Sequence, residues 1–184
     1  MGVVAGVDEA GRGPWAGPVV AAAVILHVPR LPVRIDDSKR LTAHQRAVAY
    51  AAILEQADIG VGIVPAAEID RINILQATFM AMQYALERLP QRPDLVLVDG
   101  HLAPPIGLPC RPIIHGDQRE YVISCASIVA KVVRDDLMGL YHELAPQYAF
   151  ARHKGYGTSL HAANLKQHGP SIFHRRTFHP VLDE

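Results

Sequence analysis

The chain has 184 residues, 49% of them apolar and 20% charged, and its 18 basic and 18 acidic side chains cancel to zero net charge. That length suits one domain, with or without a small appendage, and that composition excludes a mainly disordered chain. No basic stretch leads into a long apolar one at the start, the longest apolar run (Val19 to Leu26) is too short for a bilayer, and Cys110 and Cys125 are too few for a disulfide framework; a reduced cytoplasmic protein is expected.

Met1 to Val7 reads as a buried strand and Gly17 to Val28, rich in Val and Ala, as a second. Pro29 to Asp37 is a loop, and Thr42 is a candidate N-cap for a helix over Ala43 to Gln56. Ile59 to Val64 is a short strand weakened by Gly60 and Gly62. Pro65 opens a helix over Ala66 to Arg71. Asn73 starts another to about Leu89, with Leu75, Phe79, Met82 and Leu86 at helical spacing. Leu95 to Val98 is a strand stopping on Asp99, and Cys110 to His115 is one stopping on Gly116-Asp117. Glu120 to about Leu144 reads as a long helix whose early face, Ser124 to Ser127 and Ala130, is small enough to pack closely on a sheet. A helix lies near Ser159 to Gln167, followed by a break at Gly169-Pro170 and a last short element. Strands first, then alternation, then helices make an α/β domain with a helical C-terminal extension.

Apolar runs end on acids three times, at Asp8-Glu9, at Asp99 and at Asp117. Such positions converge at one edge of a sheet. Successive strand side chains face opposite ways, so Asp8 and Glu9 meet at one site only where the chain leaves extended geometry, a departure expected from the Gly11-Arg12-Gly13 turn. Four gathered carboxylates repel one another and need cations. All-oxygen ligation suits Mg²⁺ or Mn²⁺ rather than zinc. A pair of such ions is the apparatus for attack of water on a phosphodiester, which points to a metal-dependent nuclease or phosphatase. Strand-end Asp residues also serve as plain turn formers. Gly11-x-Gly13-x-x-Ala16 formally fits a dinucleotide fingerprint, yet Pro14, Gly17 and Pro18 precede a β-like run where that fingerprint opens a helix. From Leu144 to Leu182 there is no Asp or Glu, while Arg152, Lys154, Lys166, Arg175, Arg176 and five of the ten histidines fall there. This polarity suits a protein that clusters carboxylates in one place and meets an anion with the other end.

The segments VDEAGRGPWAGPV, DDSKRLT, INILQATFMAM, VDG at 98–100, HGDQREYVISCASIVAKVVRD and HKGYGTSLHAANLKQHGPSIFHRRTF resemble, in order and over nearly the whole chain, the signatures of type 2 ribonuclease H, the ribonuclease HII group. The resemblance implies a ribonuclease H-like fold: a five-stranded mixed sheet flanked by helices over 1–145, and a helical substrate-binding extension over 146–184. It implies hydrolysis of the RNA strand of RNA–DNA hybrids, and incision 5′ of single ribonucleotides in duplex DNA. Asp8, Glu9, Asp99 and Asp117 match the four metal-binding acids, which hold two Mg²⁺ or Mn²⁺ ions with substrate. Gly11, Arg12 and Gly13 match the turn that senses the ribose 2′-hydroxyl, and Tyr156 the tyrosine that stacks on the 3′-side deoxyribose. Ser38 and Lys39 match a phosphate-contacting segment, and Lys154, Arg175 and Arg176 are candidate backbone contacts. Hybrids and ribonucleotide-containing duplexes are the expected partners, with no membrane and a monomeric protein.

Other residues receive structural readings. Asp135 lies too far along its helix from Asp117 to share a metal, and is expected to pair with Arg134 or the tail. His174 and His179 are expected to pack or to face phosphate, and Cys125 to be a buried, inert thiol. Cys125, His101 and Gln118-Arg119-Glu120 depart from the usual form of the motifs, and none removes an acid.

Overall fold

The computed structural model describes residues 2–182, so Met1, where the first strand was expected to begin, lies outside them. The strands are β1 (Val4–Ala10), β2 (Val19–Leu26), β3 (Ala57–Val64), β4 (Leu95–Asp99) and β5 (Cys110–Ile113). They form one mixed sheet in the order β3-β2-β1-β4-β5. β2 runs antiparallel to both β1 and β3, while β4 is parallel to β1 and β5.

Helices cover both faces. α1 (Ala43–Gln56) and the long α5 (Tyr121–Leu144) pack on one side; α2 (Ala66–Ile72) and α3 (Ile74–Glu87) pack on the other. The period-two alternation of β2 sorts its side chains: Val19, Ala21, Ala23 and Ile25 enter the α3 layer, and Ala22 and Val24 the α5 layer. The glycines that weaken β3 as a sequence are there for α3. A Cβ at Gly60 or Gly62 would collide with the Ala85 or Ala81 carbonyl. On the other face Gly6 admits the backbone of Val122, so α5 lies close against β1.

Helix starts follow their caps. Thr42 and Gln45 form a reciprocal capping box at α1, and the Asn73 side chain accepts from the N–H groups of Leu75 and Gln76 at α3. Three short elements were not expected. These are α4 (Gly116–Arg119), a 3₁₀ turn at Pro146–Tyr148, and α6 (Phe150–His153); α7 (Ser159–His168) follows as the sequence indicates.

The segment after α5 turns back onto the loop between β1 and β2. Tyr148 and Phe150 share a small core with Ala16 and Met138. Trp15 N–H donates to the Gly155 carbonyl at 2.8 Å, Gly17 N–H to Phe173 at 2.8 Å, and Arg175 N–H to Trp15 at 2.8 Å. Among the described residues no helix is long and apolar enough to cross a membrane.

Candidate active site

Strand parity builds the acid cluster. Gly6 of β1 pairs with Leu97 of β4, and Asp8 and Asp99 each lie two residues further along, on the same face as their paired predecessors. Asp117 comes from α4, which begins after His115 adopts a left-handed backbone at φ 55°. Ligand oxygens of Asp8, Asp99 and Asp117 lie within 4.8 Å of one another. Each strand carboxylate spends one oxygen on backbone. Glu9 N–H donates to Asp8 Oδ1 at 2.7 Å, and Gly116 N–H donates to Asp99 Oδ1 at 2.7 Å.

Glu9 corrects the expected geometry. It does not share a face with Asp8, because both residues lie inside β1, paired with Ala21 and Ala22 of β2. The chain stays extended between them, and the glycine turn comes only after Ala10. Glu9 therefore leans toward the α3 side, near Phe79 and Met82, with the exposed Arg12 3.5 Å away. It still borders the cleft of the other three acids. The turn runs into β2 rather than a helix, which removes the dinucleotide reading.

Asp8, Glu9, Gly11, Arg12, Gly13, Ser38, Lys39, Asp99, Asp117 and Tyr156 line one cleft of about 480 Å³. Ser127 and Lys131 of α5, which also line it, were not singled out by the sequence as site residues. The Ser127 hydroxyl lies 3.0 Å from that of Ser38, and it also bonds Asp8. Lys131 is paired with Asp135 at 2.6 Å, so the expected partner of Asp135, Arg134 or the tail, is corrected. The i, i+4 spacing of Lys131 and Asp135 was the available signal.

The cluster is short of positive charge. Burial first, then the charges of Glu9 and Asp99, push the Asp8 carboxyl well above the ordinary value. Burial and the neighbouring Asp99 and Asp37 raise Asp117, with Lys39 and His115 pulling the other way. Burial also raises Glu9, and Arg12 opposes it. Facing carboxylates with only oxygen donors, too crowded for all to ionise freely, fit hard divalent cations. Asp8, Asp99 and Asp117 are the residues that could hold one.

Two buried arginines brace the turn. Arg175 donates to the carbonyls of Gly17 at 2.9 Å, Arg12 at 2.9 Å and Gly11 at 2.5 Å. It is wholly buried, so its expected role as a phosphate contact is corrected: its donors are spent on the main chain. Arg134 donates to Pro18 and Ala16, and its guanidinium lies 5.8 Å from the centre of the Tyr156 ring. Gly11, at φ +96°, has no room for a side chain beside Arg134, whereas Gly13 faces open space. Lys154 is half-buried in a left-handed turn, and Arg176 is exposed beside Asp70. Neither borders the acid cleft. His174 packs against Tyr148 and Phe150, and Cys125 is buried with its thiol pushed up to about 12.

A family model described as Ribonuclease HII matches residues 5–181. The Ribonuclease HII of Chloroflexus aggregans is 52% identical over 187 residues, covering 98% of this chain and 88% of that protein. The crystal structure of the ribonuclease H2 from Pyrococcus horikoshii OT3 superposes with a TM-score of 0.80 at 26% identity, covering 97% of this chain and 95% of that one. The crystal structure of Bst-RNase HIII in complex with Mn²⁺ shares the fold at a TM-score of 0.73 and 18% identity, covering 97% of this chain and 68% of that one. The chain therefore belongs to the ribonuclease HII family, metal-requiring endoribonucleases that cleave the RNA of RNA–DNA hybrids.

Proposed function

We propose that the protein, besides acting on hybrids, incises on the 5′ side of single ribonucleotides in duplex DNA, leaving 3′-hydroxyl and 5′-phosphate ends. In the cell that cut begins ribonucleotide excision repair. The observation that carries the reading is one cleft holding the trio Asp8, Asp99 and Asp117 together with the bare main chain of Gly13 and the ring of Tyr156.

Asp8, Asp99 and Asp117, with Glu9 at the border, would hold two ions, Mg²⁺ or Mn²⁺; the Mn²⁺ of the Bst-RNase HIII structure supports the second choice. When bound, such a pair supplies the Lewis acidity that activates water and stabilises a departing 3′-oxygen. The side chains do the rest. Asp8, buried and feeling the charges of both Glu9 and Asp99, would gain most from a cation held in the cleft. Water attacks directly, so no side chain forms a covalent intermediate. At Gly13 nothing lies where a Cβ would project, so a ribose can approach the main chain and present its 2′-hydroxyl. Tyr156, 44% exposed, offers its face to the deoxyribose on the 3′ side. Ser38, Lys39, Lys154 and Arg176 contact phosphates without sequence preference. The segment 146–184 serves as the substrate-binding extension of a monomeric, cytoplasmic enzyme.

The test is a labelled DNA duplex carrying one ribonucleotide, incubated in Mg²⁺, in Mn²⁺ and in EDTA, beside an all-DNA duplex. One metal-dependent cut 5′ of the ribonucleotide is expected, and the all-DNA duplex stays whole. Cleavage of that control, or cutting that persists in EDTA, refutes the proposal.

A further inference from the structure

Three buried imidazoles stand behind the loop that carries Tyr156. His153 Nε2 lies 2.8 Å from the Tyr148 carbonyl, and its Nδ1 accepts from Gly155 N–H at 3.2 Å. His161 Nδ1 lies 2.9 Å from the Tyr156 carbonyl, and its Nε2 lies 3.0 Å from Nε2 of His174. His174 Nδ1 accepts from Ser171 N–H at 3.0 Å. A carbonyl only accepts and an amide N–H only donates, so these contacts fix every proton. His153 carries its proton on Nε2 and His161 on Nδ1. The Nε2 lone pair of His161 then obliges His174 to carry its proton on Nε2.

All three rings are thus neutral, each in one tautomer. A further proton on the His161–His174 pair would set two N–H groups against each other across 3.0 Å. Burial acts in the same direction, and both residues are pushed down to about 4. Tyr148, Phe150 and Trp15 pack their rings around the pair. The titratable groups acting on it come from His153, with Arg152 and His142 beyond that ring. None is a carboxylate that would favour an imidazolium.

The geometry ends at Tyr156. Its carbonyl accepts from His161 and, at 2.8 Å, from Thr158 N–H, while its own N–H donates to the His153 carbonyl at 2.9 Å. Gly155, held by His153, gives its carbonyl to Trp15 at the end of the glycine turn. Tyr156 is therefore fixed by main-chain bonds while its ring stands half free in the cleft. We propose that His161, held in one tautomer by His174, is a positioning residue for Tyr156, and that it sets cleavage at the ribose–deoxyribose junction through the placement of that ring. This rests on the junction-reading role given to Tyr156 above.

The test is single-turnover cleavage of the one-ribonucleotide duplex by the wild type, His161→Asn, His161→Leu, Tyr156→Ala and the Leu/Ala double variant. Asparagine keeps an N–H donor at the δ position; leucine keeps only bulk. His161→Leu is expected to lower the maximal single-turnover rate constant by about ten-fold or more with the half-saturating enzyme concentration little changed, the scale of a misplaced contact. His161→Asn stays close to the wild type, and the double variant is no worse than Tyr156→Ala alone. Equal losses for Asn and Leu, or additive losses in the double variant, overturn the inference. Full activity of Tyr156→Ala beside an impaired His161→Leu identifies the junction-reading role as the error, and this inference falls with it. Should the leucine variant not fold, ¹⁵N–¹H correlations of the wild-type imidazoles at neutral pH still decide. They should show His161 protonated on Nδ1 and His153 and His174 on Nε2, and a tautomer mixture or an imidazolium refutes the arrangement.

Discussion

Asp8, in the acid cleft, and His161, behind the loop that carries Tyr156, are both buried titratable groups, and they settle their burial differently. His161 gives up its charge and finds a partner for each ring nitrogen. Asp8 has one oxygen on a backbone N–H and a hydroxyl beside it, and otherwise feels the charges of Glu9 and Asp99, two more acids. A satisfied network is stiff and specifies a single arrangement. An unsatisfied one leaves free energy for a ligand to recover. The contrast teaches where the fold has been made to wait for something, namely at the acids and not at the loop that carries Tyr156.

Asp8→Asn breaks the contrast most sharply. Cleavage should fall by about 10³-fold or more, the scale seen when one member of a catalytic set is lost. Yet the metal-free protein should melt higher. With the folded-state carboxyl raised above its usual value of about 3.9, the native state holds more protons than the unfolded one through the interval between the two values. Stability therefore falls as pH rises through that interval, and the deficit is complete above it. The asparagine variant escapes this deficit. At neutral pH its Tm should exceed that of the wild type by about 2–4 °C per kcal/mol relieved, and the gap should close on acidification toward pH 4. Saturating Mg²⁺ should raise the wild type far more than the variant. A variant that melts lower than the wild type at pH 7 in EDTA would mean that the cluster carries no electrostatic deficit.

Two glycines sharpen the same contrast within one turn. Gly11→Ala forces a side chain onto Arg134 at φ +96° and should destabilise the fold by about 1–3 kcal/mol. Gly13→Ala meets nothing and should fold normally, while cutting the one-ribonucleotide duplex more slowly because its methyl projects where the ribose is proposed to lie. Thermal melts and cleavage rates on the pair separate bracing from contact. Equal melting and equal activity for Gly13→Ala would take the main chain at that position out of the 2′-hydroxyl reading.

Local signals in the sequence carried much of this. The apolar run of β2, the Thr42 and Asn73 caps, and acids following apolar runs are statements about neighbours in sequence. What stayed hidden depends on partners far along the chain. β1 continues through Asp8 and Glu9 because Ala21 and Ala22 pair with them, and that extension sends Glu9 to the other face. Asp117 rides a one-turn helix made possible by a left-handed His115. Ser127 read as one of several small packing residues because nothing local announces its neighbours, Ser38 and Asp8. A buried arginine is unusual enough that a basic tail reads as exposed.

Arg175 and Arg176 give the smallest effect and the finest test, since adjacent residues of one chemistry stand in opposite settings. Arg175 is spent on carbonyls of the turn; Arg176 is exposed, and it is its main-chain N–H, with Thr177, that holds Asp70. Arg176→Ala should thus leave the melting temperature unchanged and weaken hybrid binding modestly. The slope of log affinity against log salt should become shallower by about 1 if the side chain neutralises one phosphate. Measured by titration of a labelled hybrid at several salt concentrations in EDTA, an unchanged slope would make Arg176 a solvated surface residue. A matching loss of slope in Arg175→Ala would instead have to come from the collapse of the glycine turn, because no buried guanidinium reaches a phosphate without that turn opening.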